Sequence, residues 1–123
     1  MSETKPERPY EYYGTVTKVV DGDTVDVMLD LGLHIHHDIR LRLFGLNAPE
    51  IRGPEKEAGK ETKAWLEKQV LDQPVKVETI RDKTGKYGRL LAIIHKWDQE
   101  DRWVEVNSLM VEEGLAVEYM RRR

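Results

Sequence analysis

Val19-Val20-Asp21-Gly22-Asp23-Thr24-Val25-Asp26-Val27-Met28-Leu29-Asp30, followed by Asp38-Ile39-Arg40-Leu41-Arg42-Leu43-Phe44-Gly45, is the stretch that decides the fold. In Thr24–Asp30 the residues Val25, Val27 and Leu29 share one face, while Asp26, Met28 and Asp30 share the other. That period of two is the mark of a half-buried strand. Residues 38–45 alternate again, with Ile39, Leu41 and Leu43 on one side and Arg40, Arg42 and Phe44 on the other. Leu31-Gly32-Leu33 interrupts the pattern between them. Upstream, Asp21-Gly22-Asp23 is a turn signal. Before it, residues 10–20 carry the β-branched and aromatic side chains that suit a strand: Tyr13, Thr15, Val16, Val19 and Val20. Three sequential strands form a meander.

Downstream, Asn47-Ala48-Pro49-Glu50 ends the third strand, since proline cannot donate to a ladder. Residues 54–71 are rich in helix formers, with Ala58, Trp65, Leu66 and Val70 as an apolar stripe, and Pro74 blocks continuation. Residues 74–80 alternate through Val75, Val77 and Thr79. Residues 87–96 contain the apolar run Leu90-Leu91-Ala92-Ile93-Ile94, read as a buried strand. A polar turn, Asp98-Gln99-Glu100-Asp101, leads to Trp103 and a short strand or helix entry. Residues 107–113 form a short helix, with Asn107 expected as N-cap and Gly114 as the stop. The order β-β-β-α-β-β-α predicts a mainly β protein with helices: a five-stranded oligonucleotide-binding (OB) type barrel with the helices packed outside.

The 123 residues and 39% apolar content support one compact core. Residues 10–120 are expected to form one domain, preceded by a flexible segment over 1–9 and followed by a basic tail, Arg121-Arg122-Arg123. No apolar run approaches the roughly 18 residues that span a bilayer. The first residues, as written, lack the apolar core of a secretory signal, so a cytoplasmic location is expected, with no membrane partner. Absence of cysteine excludes disulfide partners and thiolate metal sites. Oligomeric state is not legible, and a monomer is the default. The net charge of −3 argues against a non-specific nucleic-acid coat protein. Its distribution is uneven, however. Residues 1–30 carry seven acids against three bases, whereas residues 81–89 carry four bases against one acid. Such a split suits a chain that holds both a cation and a phosphodiester, although ordinary surface charge would also produce it.

Three segments hold the chemistry. Asp21 and Asp23 place two carboxylates on one turn, either as a solvated hairpin or as part of a hard-cation site. Arg42 faces away from the Ile39/Leu41/Leu43 side, and Glu50 follows the strand end; the two either serve a site or pair across the barrel mouth. In Gly85-Lys86-Tyr87-Gly88-Arg89, an arginine opens a strongly apolar strand, an expensive placement unless its fork meets an anion such as phosphate. Tyr87 beside it either stacks a base or covers the core.

Taken jointly, DGDTV, R-x-x-x-x-x-A-P-E and K-Y-G-R-x-L-A, in this order, closely resemble the staphylococcal nuclease family. Val104-Glu105-Val106-Asn107-Ser108-Leu109 and Gly114-Leu115-Ala116 look like that family's second-helix segment, so the resemblance covers residues 13–118. It implies an OB barrel and Ca2+-dependent hydrolysis of DNA, RNA or both, cutting the 5′ P–O bond to leave 3′-phosphate ends. Asp23 matches the metal carboxylate and Asp21 its neighbour. Arg42 and Arg89 match the two arginines that bind the phosphate and stabilise the transition state. Glu50 matches the group that activates or orients water, and Lys86 and Tyr87 fall in the substrate-binding segment.

Two departures accompany the match. Asn47 stands where the family's best-known member has a second metal-ligating aspartate, and Ala48 where it has threonine. Asn47 still offers an amide oxygen and Ala48 a backbone carbonyl. Loss of one formal charge should weaken Ca2+ binding and relax the choice towards Mg2+ or Mn2+. The chain as written also ends before the family's third helix. The alternative function is a non-catalytic OB-fold module binding nucleic acid or protein. Lesser candidates are a transition-metal site at His34, His36 and His37, which more simply form an exposed hairpin, and phosphate contacts by the basic tail.

Overall fold

A computed structural model of the chain describes residues 10–81 and 90–119. The expected N-terminal segment and basic tail lie outside the described residues. Strand β1 (Tyr10–Asp21) pairs antiparallel with β2 (Thr24–Asp30), and β2 with β3 (His36–Leu43). This is the predicted meander, with the third strand set two residues earlier than its apolar pattern suggested. Val25, Val27 and Leu29 are buried on β2, and Leu41 and Leu43 on β3, as the alternation required. A two-residue strand, β4 (Leu46–Asn47), follows. Next come a 3-10 turn at Gly53–Glu55 and helix α1 (Lys56–Val70). Strand β5 (Pro74–Arg81) returns along β1, and β6 (Leu90–Trp97) pairs with β5.

Closure comes from a parallel pairing of β3 with β6, Leu41 opposite Leu90 through Leu43 opposite Ala92. Strands β1, β2, β3, β5 and β6 thus form a five-stranded closed barrel, which abolishes the sheet edges. Its interior is filled from every strand by Val16, Val19, Val25, Val27, Leu41, Val75, Val77 and Ile94, with α1 contributing Leu66 and Val70 and the second helix Met110. The segment after Trp97 resolves as a short strand, β7 (Trp103–Glu105), leading into helix α2 (Val106–Glu112), with β8 (Val117–Glu118) pairing back on β4. No helix among the described residues is long and apolar enough to cross a membrane.

Two local expectations are overturned, the first in part. The predicted stripe of α1 holds in its second half, where Leu66 and Val70 are buried and Trp65 packs half-buried against the core, but Ala58 is exposed and Gly59 and Thr62 face inward in its place. Hydrophobicity misled here, because the first half of the helix rests on loop backbone rather than on the apolar core. Nor does Asn107 cap α2. Glu105 does, its carboxylate accepting from Ser108 N–H at 3.1 Å, and Ser108 Oγ also bonds it. Asn107 is fully buried instead. Its Oδ1 accepts from Ile94 N–H (3.0 Å), and its Nδ2 donates to the carbonyls of Phe44 (2.9 Å) and Ala92 (3.0 Å). The side chain straps the end of β3 to β6. The predicted stop is correct: Gly114, at φ 75°, donates to Val111 O and Leu115 donates to Met110 O, a Schellman ending.

Candidate active site

Where β1 hands over to β2, the register shifts between Val16 and Lys18 and again between Val19 and Asp21. Irregularities of this kind bend a strand and re-aim its side chains. They deliver Asp21 and Asp23 to the rim of an open cavity of about 870 Å3. Arg42 reaches the same cavity from the outward face of β3, opposite Thr24 in the ladder. Asn47 at the end of β4, Ala48 to Arg52 on the loop that follows, and Gly114 to Val117, after α2, also line it.

Direct contacts knit four of these residues together. Arg42 Nη2 donates to Asn47 Oδ1 at 2.6 Å and approaches Asp23 Oδ2 at 3.4 Å. The same Asp23 oxygen receives Ala48 N–H at 3.4 Å, while Asp23 Oδ1 accepts from Thr24 Oγ1 at 3.1 Å. The Asp23 and Arg42 side chains are 17% and 21% exposed, shielded enough for the pair to hold, open enough for a ligand to compete. Asp21 and Glu50 line the cavity as well, Glu50 at its exposed side. Pairing of Arg42 with Glu50 across the barrel mouth, one reading of the sequence, is not what forms: Arg42 turns to Asp23 and Asn47.

Lys86, Tyr87 and Arg89 fall outside the described residues. The strand that Arg89 precedes begins at Leu90, opposite Leu41 and so next to Arg42 in the ladder. His34, His36 and His37 do lie at the exposed end of the β2–β3 hairpin, where Leu33 and His34 adopt positive φ. No group of three or more His, Cys, Asp or Glu side chains among the described residues is placed to hold a metal ion. The sequence reading missed the Gly114–Val117 wall. Its only local signal was the helix stop, which says where α2 ends but not what the next residues face.

Comparison with known proteins follows the same lines. The family described as "Staphylococcal nuclease homologue" matches residues 40–123. The chain is 33% identical over 104 residues to a thermonuclease of Staphylococcus intermedius, covering 82% of this chain and 56% of that protein. It is 28% identical over 113 residues to a micrococcal nuclease of Shigella flexneri, covering 89% of this chain and 59% of that one. A probable endonuclease of Saccharomyces cerevisiae is 32% identical over 84 residues, 66% of this chain and 30% of its own length. The chain therefore spans little more than half the length of the first two relatives.

Proposed function

Because the chain belongs to the staphylococcal nuclease family, we propose that it is a metal-assisted nuclease that hydrolyses phosphodiester bonds of DNA, RNA or both in this cavity. The observation that carries the reading is the convergence of Asp21, Asp23, Arg42, Asn47 and Glu50 on one open cavity. They come from three separate stretches of chain.

The chemistry follows from charge. A phosphodiester is already anionic, and attack by water adds charge in the transition state. Arg42 presents donors to the equatorial oxygens, its Nη2 anchored by Asn47 so that little reorganisation accompanies reaction. Arg89 is proposed as the second such donor, and Lys86 and Tyr87 as contacts to the strand. Glu50 accepts the proton of the attacking water as the new P–O bond forms and the bond from phosphorus to the 5′ oxygen breaks; the departing 5′ oxygen takes a proton from solvent water, giving a 3′-phosphate and a 5′-hydroxyl. The donor set suits a hard divalent cation, since it is all oxygen: the Asp21 and Asp23 carboxylates, the free lone pair of Asn47 Oδ1 and the Ala48 carbonyl. Water would complete the shell, because two carboxylates, an amide oxygen and a backbone carbonyl, at one oxygen each, fall short of six ligands. Ca2+, or Mg2+ or Mn2+, would there supply Lewis-acid polarisation and charge neutralisation.

One observation favours a second reading, a non-catalytic module binding nucleic acid or protein. Asp23 and Arg42 pair with each other, and that would leave neither fully committed to a ligand. The test is cleavage of labelled single- and double-stranded DNA and of RNA with Ca2+, Mg2+, Mn2+ or EDTA, with Glu50→Gln and Arg42→Ala as controls. The nuclease reading requires metal-dependent cleavage, reduced about 10²-fold or more in either variant. Folded wild-type protein that cuts nothing with any metal would leave the binding module.

A further inference from the structure

Helix α1 has a division along its inward face. Leu66 and Val70 fill the barrel core, but Thr62 and Gly59, about one and two turns nearer the N-terminus, meet the walls of the cavity instead. A Cβ on Gly59 would lie 2.1 Å from Glu50 O, 2.4 Å from Glu50 C and 2.8 Å from Ile51 N. The helix therefore rests directly on the backbone that carries Glu50, and no other residue type permits that approach. Thr62 is 2% exposed, and its Oγ1 donates to Leu115 O at 2.8 Å. A Cβ on Gly22 would lie 2.8 Å from the Thr62 methyl and 2.9 Å from Ala48 Cβ. Gly22 separates Asp21 from Asp23. Thr62 is thus wedged where the acidic turn, the Ala48 loop and the Leu115 wall meet.

We infer that Gly59 and Thr62 are positioning residues: the first turns of α1 set the height of Glu50, through Gly59, and the placing of the Asp21–Asp23 turn, through Thr62. The Glu50 loop and the acidic turn meet directly in one long hydrogen bond, Ala48 N–H to Asp23 Oδ2 at 3.4 Å, so the helix that touches both, through Gly59 and Thr62, braces their relative position. The inference rests on the nuclease reading for its kinetic consequence, but not for its effect on cation binding.

The experiment combines cleavage kinetics at saturating metal with Mn2+ affinity measured calorimetrically in the absence of substrate. Gly59→Ala lifts the Glu50 backbone. It should lower kcat about a hundredfold, the effect of a displacement near 1 Å, with KM and Mn2+ affinity within about twofold. Added to Glu50→Gln it should cost almost nothing further, because both changes remove one function; a merely structural loss would multiply instead. Thr62→Val keeps the shape and removes the Leu115 bond. It should weaken Mn2+ binding about tenfold, while Thr62→Ser, which keeps the hydroxyl, recovers most of that. Thermal melts establish that each variant is folded, and the Thr62 pair carries the test if Gly59→Ala does not fold. Wild-type protein that binds Mn2+ with this Thr62 pattern yet cuts nothing would refute the nuclease reading and keep the inference. Cleavage and Mn2+ affinity unchanged in both Gly59→Ala and Thr62→Val would overturn it, as would losses that simply multiply with Glu50→Gln.

Discussion

Exchanging Asn107 for aspartate replaces one NH2 group by an oxygen in a side chain with no solvent exposure. The lost group donates to Phe44 O at 2.9 Å and Ala92 O at 3.0 Å, so an ionised aspartate would point negative oxygen at two carbonyls. Burial drives such a carboxyl to protonate, raising its pKa by as much as 3–5 units. Protonation at pH 7 of a group whose ordinary pKa is about 3.9 costs about 1.36 × 3.1, or roughly 4 kcal/mol. The resulting O–H can serve only one carbonyl. Ala92 O keeps its bond from Phe44 N–H at 2.8 Å, so Phe44 O bears the remaining loss, about 1 kcal/mol. The folded pKa is raised in this variant, so the penalty is full above the folded value and fades as pH falls towards the unfolded one. Urea unfolding should therefore show about 4–5 kcal/mol of destabilisation at pH 7 and about 1–2 kcal/mol near pH 4, with unchanged m-value. An N-cap at this position predicts the opposite, since aspartate caps as well as asparagine. A loss below about 1 kcal/mol at pH 7 would refute the strap.

Two further outcomes follow from the site and the barrel wall. Asn47→Asp restores a full charge beside Asp23 and should tighten Mn2+ or Ca2+ binding by about tenfold or more; titration calorimetry with an unchanged constant would remove Asn47 from the cation site. Burial, with help from the Lys76 charge, holds the His95 imidazole below its ordinary pKa against Glu105, Glu78 and Glu11, and its Nδ1 has no hydrogen-bond partner among the described residues. The unfolded chain then takes up the proton first, so stability is retained above about pH 6.5 and falls as pH drops through that value. The urea midpoint of His95→Gln should decline less between pH 7.5 and 5.5 than that of the wild type, and parallel declines would contradict the assignment.

Much of the molecule follows from short-range rules that the sequence displays openly. The alternation of Val25, Val27 and Leu29 and of Ile39, Leu41 and Leu43, the Asp21-Gly22-Asp23 turn and the Gly114 stop each involve neighbours within one turn or one strand. Their structures agree with that reading. Joint motifs across the chain pointed to the family, and so to the barrel. Tertiary structure alone decided what required distant partners. Ala48 N–H meets Asp23 across 25 residues, Thr62 meets Leu115 across 53, and Asn107 meets Phe44 across 63. Polar residues at such positions look in sequence like solvated helix faces and caps, because no local pattern encodes the carbonyl they will face. Barrel closure between β3 and β6 brings those partners within reach, and burial then makes each unmet hydrogen bond expensive enough to fix the choice.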